Sequence, residues 1–198
     1  MRRKIFSNSD EELIDDILNR VSYGTLAMYD GTPYAIPVNF SWFKKRIIFH
    51  GALKGRKAKI LLESPEVAFT VVEEYSYIPS YFTPENSSAC PATQFFKSVM
   101  LEGHANRITG RGEMAEALES LMQKHQPEKK YVDWKHEMYD KSLEGVLVME
   151  IIPTSISAKF KFGQNEKREK MEHTLKMLED RGTDLDLETI KWIKRFSD

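Results

Sequence analysis

The chain reads as mainly β with helical additions, an α+β protein built on an antiparallel, Greek-key-type barrel. Three observations predict this. Strand-like runs are joined by tight turns, as at Asp30-Gly31 between Tyr23–Tyr29 and residues 34–43. The stretch Leu101-Glu102-Gly103-His104-Ala105-Asn106 alternates apolar and polar residues, so one face of that strand is wet. Helical periods are inserted between groups of strands instead of following each strand, which argues against a doubly wound parallel sheet.

The elements follow in order. Ser9-Asp10-Glu11-Glu12 has the form of a capping box ahead of a helix striped by Leu13, Ile14, Ile17, Leu18 and Val21. Strands are expected over residues 23–29, 34–43 and 46–49, with Lys44-Lys45 as a turn. A short helix covers 57–63, Ser64-Pro65 breaks the chain, and residues 67–72 form a buried strand. Residues 76–93, rich in Tyr, Pro, Ser and Asn, read as the longest irregular segment; Tyr75, Tyr77, Tyr81 and Phe82 form either a lid over a flat substrate or a surface loop. A strand over 94–108 precedes a helix marked by Met114, Leu118, Leu121, Met122 and His125, and Trp134 and Tyr139 fall in a second helical stretch. Two strands, 146–152 and 156–162, flank Pro153. In the tail, Met171, Leu175 and Leu178 stripe one helix, Gly182 stops it, and Thr183 caps a last helix with Leu187, Ile190 and Phe196.

The 198 residues suffice for one core without staples. A formal net charge of −1 gives nucleic acid no general electrostatic attraction. Cys90, the one cysteine, excludes an intramolecular disulfide and suits a reducing compartment. The charged start Met1-Arg2-Arg3-Lys4 is followed by no apolar run, and no stretch approaches a membrane span, so a cytoplasmic protein is expected. His50, His104, His125, His136 and His173 include no helical i, i+4 pair, so no metal centre is expected.

The most informative segment is Phe49-His50-Gly51-Ala52-Leu53-Lys54-Gly55-Arg56-Lys57, where a strand enters a glycine-interrupted, cationic turn ahead of a helix. Glycines permit close backbone approach, and a helix N-terminus offers unpaired N–H groups, so this is either a phosphate seat or a solvated basic turn. His50 stands either beside a ligand or packed at a strand end.

Three segments carry a resemblance: Tyr23-Gly24-Thr25-Leu26-Ala27 with Asp30-Gly31-Thr32-Pro33-Tyr34; Pro37-Val38-Asn39-Phe40; and Ile48-Phe49-His50-Gly51-Ala52 with Lys54-Gly55-Arg56-Lys57. On these residues the chain resembles the flavin-binding split-barrel superfamily of pyridoxamine 5′-phosphate oxidase, and within it the nitroimidazole-resistance (Nim-like) branch. The resemblance covers residues 23–162. It implies a split β-barrel domain, taken with the N-terminal helix as residues 1–163; the helical tail over 164–198 lies outside the resemblance and is expected to pack on the barrel or the dimer. It also implies a homodimer with FMN in the cleft between protomers.

By the same resemblance, Pro37, Val38, Asn39 and Phe40 line the isoalloxazine ring together with Phe49, Gly51 and Ala52. Lys54, Arg56 and Lys57 hold the phosphate. His50 lies beside the flavin as the candidate catalytic residue. Phe96 and Ser98 approach from the partner's strand, or Phe96 is core. Lys161, in the alternating segment 159–162, is either a wet strand edge or a cofactor neighbour. The implied activity is that of an FMN-dependent oxidoreductase carrying electrons from NAD(P)H to a small planar acceptor such as a nitroaromatic. The alternatives are a non-catalytic flavin-binding or flavin-sensing protein and a haem-handling split barrel. No Arg-x-His segment stands near the C-terminus, which argues against vitamin B6 oxidation.

Overall fold

The computed structural model describes residues 4–83 and 88–197. Residues 1–3, part of the charged start, and 84–87, within the segment expected to be irregular, lie outside the described residues. In chain order the elements are β1 (Ser7–Asn8), α1 (Glu11–Arg20), β2 (Tyr23–Tyr29), β3 (Pro33–Asn39), β4 (Ser41–Phe43), β5 (Arg46–Ala52), α2 (Arg56–Glu63), β6 (Glu66–Ile78), β7 (Thr93–Ile108), α3 (Arg111–His125), α4 (Asp140–Glu144), β8 (Val146–Lys161), α5 (Arg168–Arg181) and α6 (Asp184–Ser197). The sheet runs β3-β2-β6-β7-β8-β5-β4, with β1 added on β8. The pairings β2/β3, β2/β6, β4/β5, β5/β8 and β1/β8 are antiparallel. The expected α+β architecture is present, and it is that of a split barrel. No helix among the described residues is long and apolar enough to cross a membrane.

Two compact units can be distinguished, one comprising Asp10–Val71 and Val99–Ile156, the other Met1–Ser9, Val72–Ser98 and Ser157–Asp198. In the first, α1 buries Ile14, Ile17 and Leu18. Its cap is Asp10, not Ser9: the Asp10 carboxylate accepts from the Glu12 and Leu13 N–H groups at 3.0 and 3.2 Å. The charge of a carboxylate at a helix N-terminus adds what a serine hydroxyl lacks. Lys124 of α3 holds the other end of α1, donating to the Leu18 and Val21 carbonyls at 2.9 and 2.7 Å. Gly24 is required by packing, because a Cβ there would lie 2.0 Å from the Phe69 ring. Met114, Leu118 and Leu121 of α3 close over Ile48 and Val148.

The second unit is aromatic. Tyr75, Phe95, Phe160, Phe162 and Trp192 are buried in it, with Tyr75 edge-on to Phe162 at 4.9 Å and Trp192 stacked on Phe162 at 6.0 Å. Strand β6 runs to Ile78, beyond the expected end at residue 72, because the tail covers it. Ser76 donates to Asp186 at 2.6 Å and its N–H donates to Thr189 at 3.0 Å. Tyr75 is therefore core and belongs to no lid, while Tyr77 and Tyr81 are exposed. Strand β8 continues through Pro153, where two strands were expected. It pairs with β5 at residues 146–151 and with β1 at residues 158–159, and neighbours β7 in the sheet, whose Gly103 lies against Ile152 and Pro153. Of the expected second helical stretch, Tyr139 ends a 3-10 turn, Glu137–Tyr139, that leads into α4, while Trp134 stands outside any helix and stacks on Tyr139 at 4.3 Å.

Asp186 is fully buried and accepts from Arg181, Ser76 and Thr183, which together hold its carboxyl far below the usual carboxylate range. A lowered folded-state pKa contributes stability that is complete above the ordinary value of 3.8 and is lost as the pH falls below it. Asp186→Asn is expected to lower unfolding free energy by about 2–3 kcal/mol at neutral pH. Urea titrations at pH 7 and in acid would check this, with the gap to the parent chain narrowing in acid.

Candidate functional site

The cationic bend after β5 is built by the β5/β8 ladder, which pairs Phe49 with Met149, His50 with Val148 and Gly51 with Leu147. Strand alternation buries Phe49 and turns His50 outward, where its ring is exposed. Partial burial, and then the charge of Lys57, lower the His50 pKa below its ordinary 6.5, so the imidazole is neutral at pH 7.

Beyond β5 the chain bends through Gly55, whose φ of 111° lies in the region that glycine alone adopts without strain. Gly55 supplies no side-chain cap to α2, and no acidic residue stands in the helix's first turn. The Lys57 ammonium lies over Gly51, where a Cβ would stand 2.4 Å from its nitrogen, and 6.0 Å from the Phe49 ring. A side chain at 51 would push the ammonium out of this place. Burial lowers the Lys57 pKa, and among the described residues no carboxylate pairs with it. A half-buried ammonium beside bare backbone and an uncapped helix start fits a phosphate group.

Arg56 points elsewhere. Its Nε and Nη2 donate to the two Asp30 oxygens at 3.0 and 2.9 Å, Nη2 also donates to Thr32 Oγ1 at 2.7 Å, and its guanidinium lies 4.3 Å from the Tyr34 ring. Lys54 is exposed in the bend. The expected trio of cations is therefore not gathered at one point. The residues around Arg56 were visible in the sequence as the hairpin signal, but nothing in their spacing tied them to position 56.

Of the expected ring-lining strand, Pro37 and Asn39 are exposed, while Val38 and Phe40 are buried. β3 is the terminal strand of the sheet path, which tolerates Pro37 without an N–H to give. Asn39 Nδ2 is engaged with the Ser22 carbonyl at 3.2 Å. Phe40 packs edge-on to Phe69 at 5.0 Å and carries Lys124 over its face, so it is core. Ala52 ends β5, exposed.

Phe96 and Ser98 belong to β7 within the aromatic unit, half-buried, on the strand face opposite Lys97. Lys97, open in the sequence between a contact with the flavin's polar edge and a place in solvent, is buried, with its ammonium 3.1 Å from the Trp192 ring centre and 3.7 Å from Glu73. Lys161 donates to Thr93 Oγ1. Cys90 is an exposed free thiol.

Comparison with known proteins places this geometry. Similar solved structures include a candidate 5-nitroimidazole antibiotic resistance protein of Bacteroides thetaiotaomicron, 19% identical over 77% of this chain and 85% of that one, with a TM-score of 0.63. The flavocytochrome Anf3 of Azotobacter vinelandii is 24% identical over 79% and 69%, with a TM-score of 0.64. The FAD and heme binding protein of Mycobacterium smegmatis is 19% identical over 84% and 78%, with a TM-score of 0.68. At such identities the likeness establishes the fold. No match was found among curated proteins. The family model described as pyridoxamine 5′-phosphate oxidase matches residues 10–160, three quarters of the sequence, and the chain belongs to that family.

Proposed function

We propose that the chain binds FMN and acts as an NAD(P)H-dependent reductase of a small planar acceptor, as a homodimer with the cofactor at the subunit interface. The observation that carries this reading is the Lys57 ammonium over Gly51, matched with no carboxylate among the described residues. An ammonium held half-buried without a counter-charge is suited to a ligand that brings its own. Family membership and the flavin named in two of the similar structures support the same cofactor class.

The roles divide along β5. Lys57 and the Gly51 backbone hold the phosphate, with the N–H groups at the start of α2 adding to the field. His50 stands on the other side of the strand, two residues before β5 ends, within reach of a ligand laid across the strand end. The flavin supplies the redox chemistry, passing two electrons from NAD(P)H to the acceptor. A neutral His50 at pH 7 can accept or relay the proton that accompanies acceptor reduction. Pro37, Val38, Asn39 and Ala52 provide the ring's surroundings, and Phe96 and Ser98 of the partner subunit complete them.

The absorption spectrum of the purified protein is the first test. Flavin bands support the reading, whereas an intense Soret band replaces it with haem handling. Lys57→Glu is expected to weaken FMN binding about tenfold to a hundredfold, the worth of one charge-assisted phosphate contact. Fluorescence titration measures this, and unchanged affinity removes Lys57 from the site. Steady-state NAD(P)H oxidation with nitroaromatic acceptors tests turnover; bound FMN without turnover leaves a flavin-binding module. His50→Gln is expected to lower kcat about a hundredfold while FMN stays bound. Activity of the parent chain should fall only in acid below the ordinary imidazole range, where His50, its pKa lowered by burial and by Lys57, takes up a proton.

A further inference from the structure

Arg56 and Lys57 are adjacent in sequence, and both are cations at the start of α2. Successive helical residues point about 100° apart, so one helix start cannot aim both at one ligand without effort. The structure shows the division. Lys57 turns to Gly51, while Arg56 turns to the β2–β3 hairpin and is held there by three kinds of contact. The Asp30 carboxylate receives a two-pronged bond, the Thr32 hydroxyl accepts a third, and the Tyr34 ring lies against the guanidinium face.

An exposed ion pair alone holds a side chain weakly. The fork geometry and the ring contact are what give this one a defined direction. The acceptor is itself ordered, since Thr32 donates to Asp30 Oδ1 at 3.0 Å and the turn passes through Gly31 at a φ of 96°. Asp30 is held far below the carboxylate range by Arg56, and so remains ionised throughout the working pH range.

We propose that Arg56 is a positioning residue and no phosphate ligand: clasped by Asp30, Thr32 and Tyr34, it fixes the rotation of α2 so that Lys57 presents its ammonium over Gly51. This inference rests on the flavin reading above. It reassigns one of the expected phosphate cations and gives the Asp30-Gly31-Thr32-Pro33-Tyr34 hairpin a role in a site to which it contributes no ligand atom. It predicts that the charge at position 56 matters only through its partner at position 30.

The test is a titration of FMN and riboflavin, which differ by the phosphate, into the parent chain and into Asp30→Asn, Arg56→Asp, Asp30→Arg, and the double swap Asp30→Arg with Arg56→Asp. The single reversals and Asp30→Asn are expected to weaken FMN about tenfold while leaving riboflavin affinity within about threefold of the parent. A general loss of fold would weaken both flavins together. The double swap is expected to restore FMN affinity to within about threefold of the parent, although it places an anion at position 56. A double swap as weak as Arg56→Asp overturns the proposal, because the phosphate then needs the cation itself. Tighter FMN binding by Asp30→Asn also overturns it, since Arg56 freed from its clasp would then be gripping the phosphate. Should the double swap fail to fold, the sign of the Asp30→Asn effect decides. A parent chain that takes up neither flavin overturns the flavin reading and this inference with it, an outcome distinct from the other two.

Discussion

Residues 47–52 of β5 are paired one for one with residues 151–146 of β8, and the alternation of that ladder decides what each side chain near the bend can do. Phe49 is driven into the core and His50 out of it. Gly51, again on the Phe49 side, offers a gap where another residue would present a Cβ. Ile47, Ile48 and Phe49 are all buried, so both faces of the strand are covered up to the bend and His50 is the first side chain to emerge. The chemistry of the bend is thus set by pairing elsewhere in the strand, and the cations after it occupy places already prepared.

Much of this architecture is legible in the sequence because local and tertiary demands agree. Asp30-Gly31 between alternating runs produces the hairpin expected, and Gly182 stops α5 in the left-handed conformation that suits a helix end. The apolar stripes of α1 and α3 are the faces they bury. Where the reading fails, a partner distant in sequence is responsible. Strand β6 outruns its apolar pattern because Ser76 is satisfied by Asp186 and Thr189 from α6, more than a hundred residues on. Pro153 fails to divide β8 because strands β5, β1 and β7 hold the chain extended on either side of it.

The candidate site shows the same limits. The glycine-punctuated cationic turn is visible as a motif, and its proximity to His50 follows from chain continuity. Direction is what the sequence withholds. Nothing in the letters at positions 54, 56 and 57 says that one cation is solvent-facing, one is turned toward a hairpin and one lies over a strand end. Those outcomes depend on the helix phase of α2 and on Asp30, Thr32 and Tyr34 across the fold.

Lys97 presses its ammonium against the Trp192 ring, with Glu73 close by, in otherwise aromatic surroundings. Such an arrangement makes two positions distant in sequence depend on one another. Shortening the C-terminus or replacing the indole would take away the ring the ammonium rests on and leave it with Glu73, Tyr75 and Phe160. The last helix is therefore no detachable ornament, and chains with and without it should differ at this strand position as well.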